Sequence, residues 1–178
     1  FQAPEFTRMA ADEGVDFITV HGRYRTSYTV PADWNRIAEV KASAGIPVIG
    51  NGDILSVEDA CEMMRVTGCD GVMVARGILG NPWLPRRIYQ ALTSGIIPPE
   101  PTLQERFHVF SRHLDYLIAL KGERRAGLIF RKHAAWYLKG FPNIARFRRT
   151  LFTFTRPEQF YGAIQEMLIS YGIPLDPR

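Results

Sequence analysis

The chain has 178 residues, 46% of them hydrophobic and 22% charged, with a net charge of +4; this is the balance of a folded globular protein and not of a disordered one. No apolar run approaches the ~20 residues of a membrane-spanning helix. Two cysteines are too few for a disulfide framework and point to a reducing compartment, the cytoplasm. The charge is uneven. Residues 1–100 carry 9 Lys/Arg against 12 Asp/Glu, residues 101–178 carry 13 against 6, and between Lys121 and Arg149 nine basic residues face one acid, Glu123. An enzyme-like half followed by a polyanion-binding half fits this asymmetry, as does a solvated basic surface. The chain opens on Phe1, not Met, without a signal-peptide pattern, and its motif order leads us to expect a fragment.

In chain order, the first half repeats one unit three times. An amphipathic helix pattern over Pro4–Glu13 passes Gly14 into the apolar run Phe17–Val20; a second, Asp33–Ala44, passes Gly45 into Ile46–Ile49; a third, Ser56–Thr67, passes Gly68 into Val72–Ala75. The short apolar runs have the composition of parallel strands buried on both faces. Glycines are expected to stop the helices, and Asp33 and Ser56 to cap helix starts. Asn81-Pro82 reads as the start of a further helix that ends near Ser94-Gly95. A stiff Pro-rich linker follows, Ile97–Pro101. Beyond it, helical stretches are expected at Leu103–Lys121, Glu123–Lys139, Asn143–Phe154 and Pro157–Ser170, a small helical bundle.

Each strand is followed by residues that look chemical. In parallel α/β folds the C-terminal strand ends are where ligands bind, so these residues are expected on one face. Gly50-Asn51-Gly52-Asp53 lets the backbone approach an anion or a polyol closely, or is simply a capped turn. Arg76, in Ala75-Arg76-Gly77, is a fork suited to phosphate, or is the partner of an acid such as Asp53. His21, at its strand end with Arg23 and Arg25 behind it, is either a ligand contact or a structural histidine. Cys61 and Cys69 read as structural, and no metal-ligand spacing is present. In the second half, Arg131-Lys132-His133 precedes Ala134-Ala135-Trp136-Tyr137; Arg124, Arg125, Arg131 and Lys132 lie on or near one helix face, with Lys139 beyond, and basic residues interleaved with aromatics suit a nucleic acid. The aromatics could equally pack inward while the charges are solvated.

With these segments assembled, the chain resembles the C-terminal half of the tRNA-dihydrouridine synthases, closest to a bacterial branch. The segments that carry the resemblance are Ile18–Arg23, Pro31–Trp34, Pro47–Ile54, Gly68–Gly77, Gly80–Trp83 and Arg131–Tyr137. The resemblance implies a fold of α/β plus all-α class: the last strands, six to eight, of an FMN-binding TIM barrel over residues 1–96, then a helical tRNA-binding domain over residues 102–178. It implies FMN contacts from His21, Asn51, Gly52, Asp53, Ala75 and Arg76, the last five forming much of the phosphate cradle. Ala75 departs from the glycine that many relatives carry there. For tRNA it points to the basic helical residues Arg124, Arg125, Arg131, Lys132 and Lys139.

The activity so implied is reduction of tRNA uridine to 5,6-dihydrouridine, with NADPH as reductant, by a full-length enzyme expected to be monomeric and cytoplasmic, with neither metal nor membrane. The family's catalytic cysteine belongs to the barrel's first half, so no catalytic residue is expected within this chain, and the chain alone is expected to be inactive. Its open strand edge would invite association. Two other readings compete: an FMN-barrel oxidoreductase acting on a small molecule, and a non-catalytic RNA-binding module. The basic helical tail counts against the first.

Overall fold

The computed structural model describes residues 2–24, 29–140 and 149–173. The chain divides into two units, one of residues 1–78 with 82–98 and the other of residues 79–81 with 99–178. The first holds α1 (Ala3–Asp12), β1 (Ile18–His21), α2 (Trp34–Ser43), β2 (Val48–Asn51), α3 (Val57–Thr67), β3 (Gly71–Met73), a 3-10 turn (Arg76–Ile78) and α4 (Leu84–Ser94); the second holds α5 (Leu103–Lys121), α6 (Glu123–Tyr137) and α7 (Pro157–Ser170).

The three strands form one parallel sheet in the order β1-β2-β3. The register pairs His21 with Asn51 and Asn51 with Met73, so the three strands end at one level. Behind the sheet, Ile37, Val40, Val48, Val57, Ala60, Met63 and Leu84 are buried almost completely. Gly50 is required by this packing, since a Cβ there would lie 2.6 Å from Met63 Sδ and 3.1 Å from Cys69 Sγ. At the opposite end of the sheet from the strand tips, Asp70 accepts from Val48 N–H at 2.7 Å and from Lys41 Nζ at 2.7 Å, fixing where β2 begins.

Local sequence explains most helix ends. The Asp33 side chain caps α2 by accepting from Asn35 N–H, and Ser56 and Asp59 form a reciprocal capping box at α3. Gly68 ends α3 in the left-handed conformation, φ 65°. Gly45 does not play this part: α2 stops at Ser43 with Ala44 extended, and no positive φ is needed there. The helix expected from Asn81-Pro82 begins instead at Leu84, with Trp83 at the cap position and Pro85 in the first turn. The strands also sit differently: β1 lies one residue and β2 two residues toward the C-terminus, while β3 begins one residue earlier than expected and ends two earlier, at Met73; Pro47 has no N–H for the ladder, and β2 begins after it.

In the second unit α5 and α7 span the expected residues, while α6 stops at Tyr137, two residues early. Of the expected helix Asn143–Phe154, residues 143–148 lie outside the described residues, and 149–151 form a helical turn. Phe110, Leu114, Phe130, Leu138, Leu151 and Phe160 are fully buried. Phe130 meets Phe110 at 4.7 Å and Phe160 at 5.4 Å between centroids, both edge-on, the favourable geometry for aromatic pairs. Gly80 lies against the α6 backbone, where a Cβ would stand 2.4 Å from the Trp136 carbonyl carbon.

Two histidines share this packing. The His113 and His133 rings are 4.6 Å apart, His113 Nδ1 lies 3.3 Å from the Tyr137 hydroxyl, and His133 stands edge-on to Trp136 at 5.2 Å. Burial pushes His113 below the ordinary histidine value of 6.5; burial, with His113 and Lys132 nearby, pushes His133 down to about 4. The unfolded chain therefore takes up protons at about 6.5 that the folded histidines refuse. The two histidines' contribution to stability is full above about pH 6.5 and is lost as the pH drops from there toward about 4. Thermal melts from pH 7.5 to 4.5 should show this decline, and His133→Phe should flatten it; a midpoint unchanged between pH 7.5 and 5 would contradict it.

Candidate functional site

The level ending of the strands gathers the chemical residues. His21, Arg23, Asn51, Gly52, Asp53, Ile54, Leu55, Met73, Ala75 and Arg76 line one hollow of about 50 Å3. It is polar and far smaller than the ~300–1,000 Å3 of a complete small-molecule pocket. All six residues that the resemblance implies as cofactor contacts lie on it.

Each is placed by identifiable bonds. Asn51, 7% exposed, ends β2 and donates from Nδ2 to the Met73 carbonyl at 2.7 Å, which binds two strand tips together and leaves Oδ1 as its remaining acceptor. Gly52 has φ 132°, and a Cβ there would lie 2.7 Å from Ala32 Cβ and 3.4 Å from the His21 ring, so only glycine fits. The Gly52 carbonyl accepts from the Trp34 indole at 3.0 Å. His21 is exposed, and its Nδ1 accepts from Arg23 N–H at 3.0 Å; the neutral ring therefore carries its proton on Nε2.

Asp53 is the hub. Its φ of 55° is left-handed, a conformation Asp tolerates better than most residues. Oδ2 accepts from Ala32 N–H at 2.8 Å and from Arg23 Nη2 at 2.5 Å, and Oδ1 accepts from Arg76 Nη2 at 2.6 Å. Burial works against the charge, but the Ala32 hydrogen bond and the two guanidiniums outweigh it and hold the carboxyl below its ordinary range.

The two arginines differ in kind. The Arg23 side chain is 12% exposed and also donates from Nε to the Val30 carbonyl; the Arg76 side chain is 64% exposed and touches Asp53 through Nη2. An exposed pair of this sort contributes at most ~1 kcal/mol. Arg23 is the structural partner of the carboxylate, and Arg76 is the surplus cation of the hollow. The sequence allows both readings of Arg76, phosphate ligand and partner of Asp53, and the acid contact is present. Sequence reasoning misses Arg23 as a site residue. The signals for it are its place in the segment Ile18–Arg23, which carries the resemblance, and a basic side chain two residues beyond His21.

The basic residues of the second unit are not one cluster. Arg124 and Arg125 are exposed at the start of α6 and line a shallow groove of about 430 Å3 with Lys121 and Leu128; Arg124 also lines a second groove with Thr155 and Arg156. Lys132 and Lys139 are exposed, Lys139 beyond the end of α6. Arg131 is half-buried, and its Nε donates to the Phe154 carbonyl at 2.6 Å, which commits it to the fold. Tyr137 is buried and Trp136 half-buried, so the aromatics pack inward. Among the described residues no group of His, Cys, Asp and Glu is placed to hold a metal ion, and no helix is long and apolar enough to cross a membrane. Cys69 is buried and Cys61 half-buried, both free thiols.

Parallel strands whose tips share one small polar hollow, with an exposed arginine beside it, define an α/β protein whose chain continues into a helical unit with basic side chains on its surface. The comparisons with known proteins narrow that class. The family model described as "Dihydrouridine synthase (Dus)" matches residues 2–170. The chain is 38% identical over 169 residues to a probable tRNA-dihydrouridine synthase of Rickettsia prowazekii (strain Madrid E), covering 94% of this chain and 52% of that protein. It is 44% identical over 146 residues to a probable tRNA-dihydrouridine synthase of Mycobacterium leprae (strain TN), 81% of this chain and 38% of the relative. It is 44% identical over 150 residues to probable tRNA-dihydrouridine synthase 1 of Synechocystis sp. (strain ATCC 27184 / PCC 6803 / Kazusa), 83% of this chain and 42% of the relative. The chain belongs to the dihydrouridine synthase family. It spans about half the length, or less, of the curated relatives it matches.

Proposed function

We propose that this chain supplies the FMN-phosphate cradle and the tRNA-contacting helical arm of a tRNA-dihydrouridine synthase, which reduces uridine to 5,6-dihydrouridine. Residues 1–96 would be strands six to eight of the barrel, and residues 102–178 the tRNA-binding domain. The observation that carries this reading is the single hollow shared by the tips of β1, β2 and β3. The residues suit a phosphomonoester: Gly52 leaves space that a Cβ would fill, and Arg76 spends one nitrogen on Asp53 and keeps the rest of its fork for an anion.

FMN bound there would supply the hydride chemistry, with NADPH as its reductant. The chain's own residues do the holding. Arg76 would grip the phosphate, the Gly52 and Ala75 backbones would line the cradle, and Asn51 would keep the tips of β2 and β3 together. His21 Nε2–H would donate to an acceptor on the cofactor. Arg124, Arg125, Lys132 and Lys139 are exposed and suited to tRNA phosphates. The target uridine must leave its stack to reach the reducing centre, and the proton that completes C5–C6 reduction is expected from outside this chain.

The test is turnover. The full-length protein, supplied with FMN, NADPH and tRNA from cells lacking dihydrouridine, should convert uridine to dihydrouridine. Removal of residues 102–178 should abolish tRNA turnover while NADPH still reduces the flavin. Flavin-free protein with no turnover after FMN addition would overturn the reading.

A further inference from the structure

The resemblance implies that Asp53 touches the cofactor, yet both its oxygens are already engaged. Oδ2 serves Ala32 N–H and the half-buried Arg23, and these contacts pin the segment before α2 to the end of β2. Oδ1 has a different partner. It receives Arg76 Nη2 at 2.6 Å, from a side chain 64% exposed that no other described residue restrains. An arginine that free samples many rotamers, and ordering it on binding costs affinity. A carboxylate held at a fixed place and taking one corner of the guanidinium leaves the opposite edge aimed and its N–H donors unspent. The left-handed φ of 55° at Asp53, held by three separate contacts, is what brings its carboxylate between the two arginines.

We propose that Asp53 is a positioning residue: it does not bind the phosphate but aligns Arg76 for it, while Arg23 neutralises the carboxylate so that no net negative charge opposes the incoming anion. The triad of Arg23, Asp53 and Arg76 then carries one net positive charge, all of it on the exposed member. This assignment rests on the phosphate-cradle reading above.

The readout is the ratio of the riboflavin to the FMN dissociation constant in the full-length protein, which isolates the phosphate contribution from changes that weaken both flavins alike. Arg76→Gln should lower the ratio. Asp53→Asn, whose amide oxygen can still accept from Ala32 and Arg23, should lower it on the order of tenfold, as loss of a group that orients a ligand does. The two changes together should lower it no further than Arg76→Gln alone. If Asp53→Asn leaves the ratio unchanged or raises it while Arg76→Gln lowers it, the carboxylate is a competitor and the positioning role is overturned, with the cradle reading intact. If Arg76→Gln leaves the ratio unchanged, the cradle reading itself fails. Arg76→Lys covers a folding failure of Asp53→Asn: it keeps the charge but has no fork to align, and should lose most of the ratio. Full retention by lysine would overturn the proposal.

Discussion

Arg76→Ala in the full-length protein is expected to weaken FMN retention by about 1–3 kcal/mol, roughly 5- to 150-fold in Kd, with little change in riboflavin binding or in melting temperature. Both halves of that result follow from where the side chain stands. Its ion pair with Asp53 is exposed, so removing it costs the fold little. Asp53 keeps Arg23 and the Ala32 N–H, so no buried charge is left unpaired. What disappears is the one cation among the hollow's described residues that the fold does not consume. Fluorescence titration with the two flavins checks it, and unchanged FMN affinity would contradict the assignment of Arg76.

The second large effect concerns RNA. Reversing Arg124 and Arg125 together to glutamate should weaken tRNA binding on the order of tenfold or more and flatten the dependence of log Kd on log salt by about 2, one unit for each phosphate that is no longer neutralised. Both side chains are exposed at the start of α6, so stability should hardly change. Arg131, which the sequence groups with Lys132 on the RNA face, is a less clean target. Its Nε donates to the Phe154 carbonyl, so replacing it also disturbs the helical unit and mixes a loss of stability with any loss of binding. Filter binding across a salt series, with a melt of each variant, separates the two. An unaltered salt slope in the double variant would remove Arg124 and Arg125 from the RNA surface.

These contrasts mark what is legible in the sequence. α5 can be read to both ends because its punctuation is local: Thr102 and Glu105 close a capping box at one end and Gly122 stops the other. The three helix-to-strand repeats are equally plain, since period and glycine spacing lie within a dozen residues. The strand ends are not, because the extent of a parallel strand is set by its neighbours. Asn51 belongs to β2 because it pairs with His21 and Met73, residues 30 and 22 positions away. Asn81 has the chemistry of a cap and is not one, and its buried Oδ1 has no hydrogen-bond partner among the described residues.

At the site, residue types are readable and partnerships are not. The turn Asn51-Gly52-Asp53 and the arginine at 76 stand out as a candidate anion site by chemistry and by following strands. That Asp53 binds two arginines at once, one half-buried and one exposed, depends on the register that lays three strand tips side by side. The same holds for Arg131, whose acceptor lies 23 residues further along the chain. Charge alone cannot tell a solvated arginine from one committed to a carbonyl.

The central claim, that the tips of β1, β2 and β3 grip the phosphate of FMN, is tested most directly by phosphorus-31 NMR of FMN bound to the full-length protein. Free phosphomonoesters titrate with a pKa of about 6. A phosphate held by Arg76 and the Gly52 backbone should give a displaced resonance that stays dianionic and does not move between pH 7.5 and 5.5, and Arg76→Ala should restore its titration. A bound resonance that titrates like free FMN in the unaltered protein would contradict the claim.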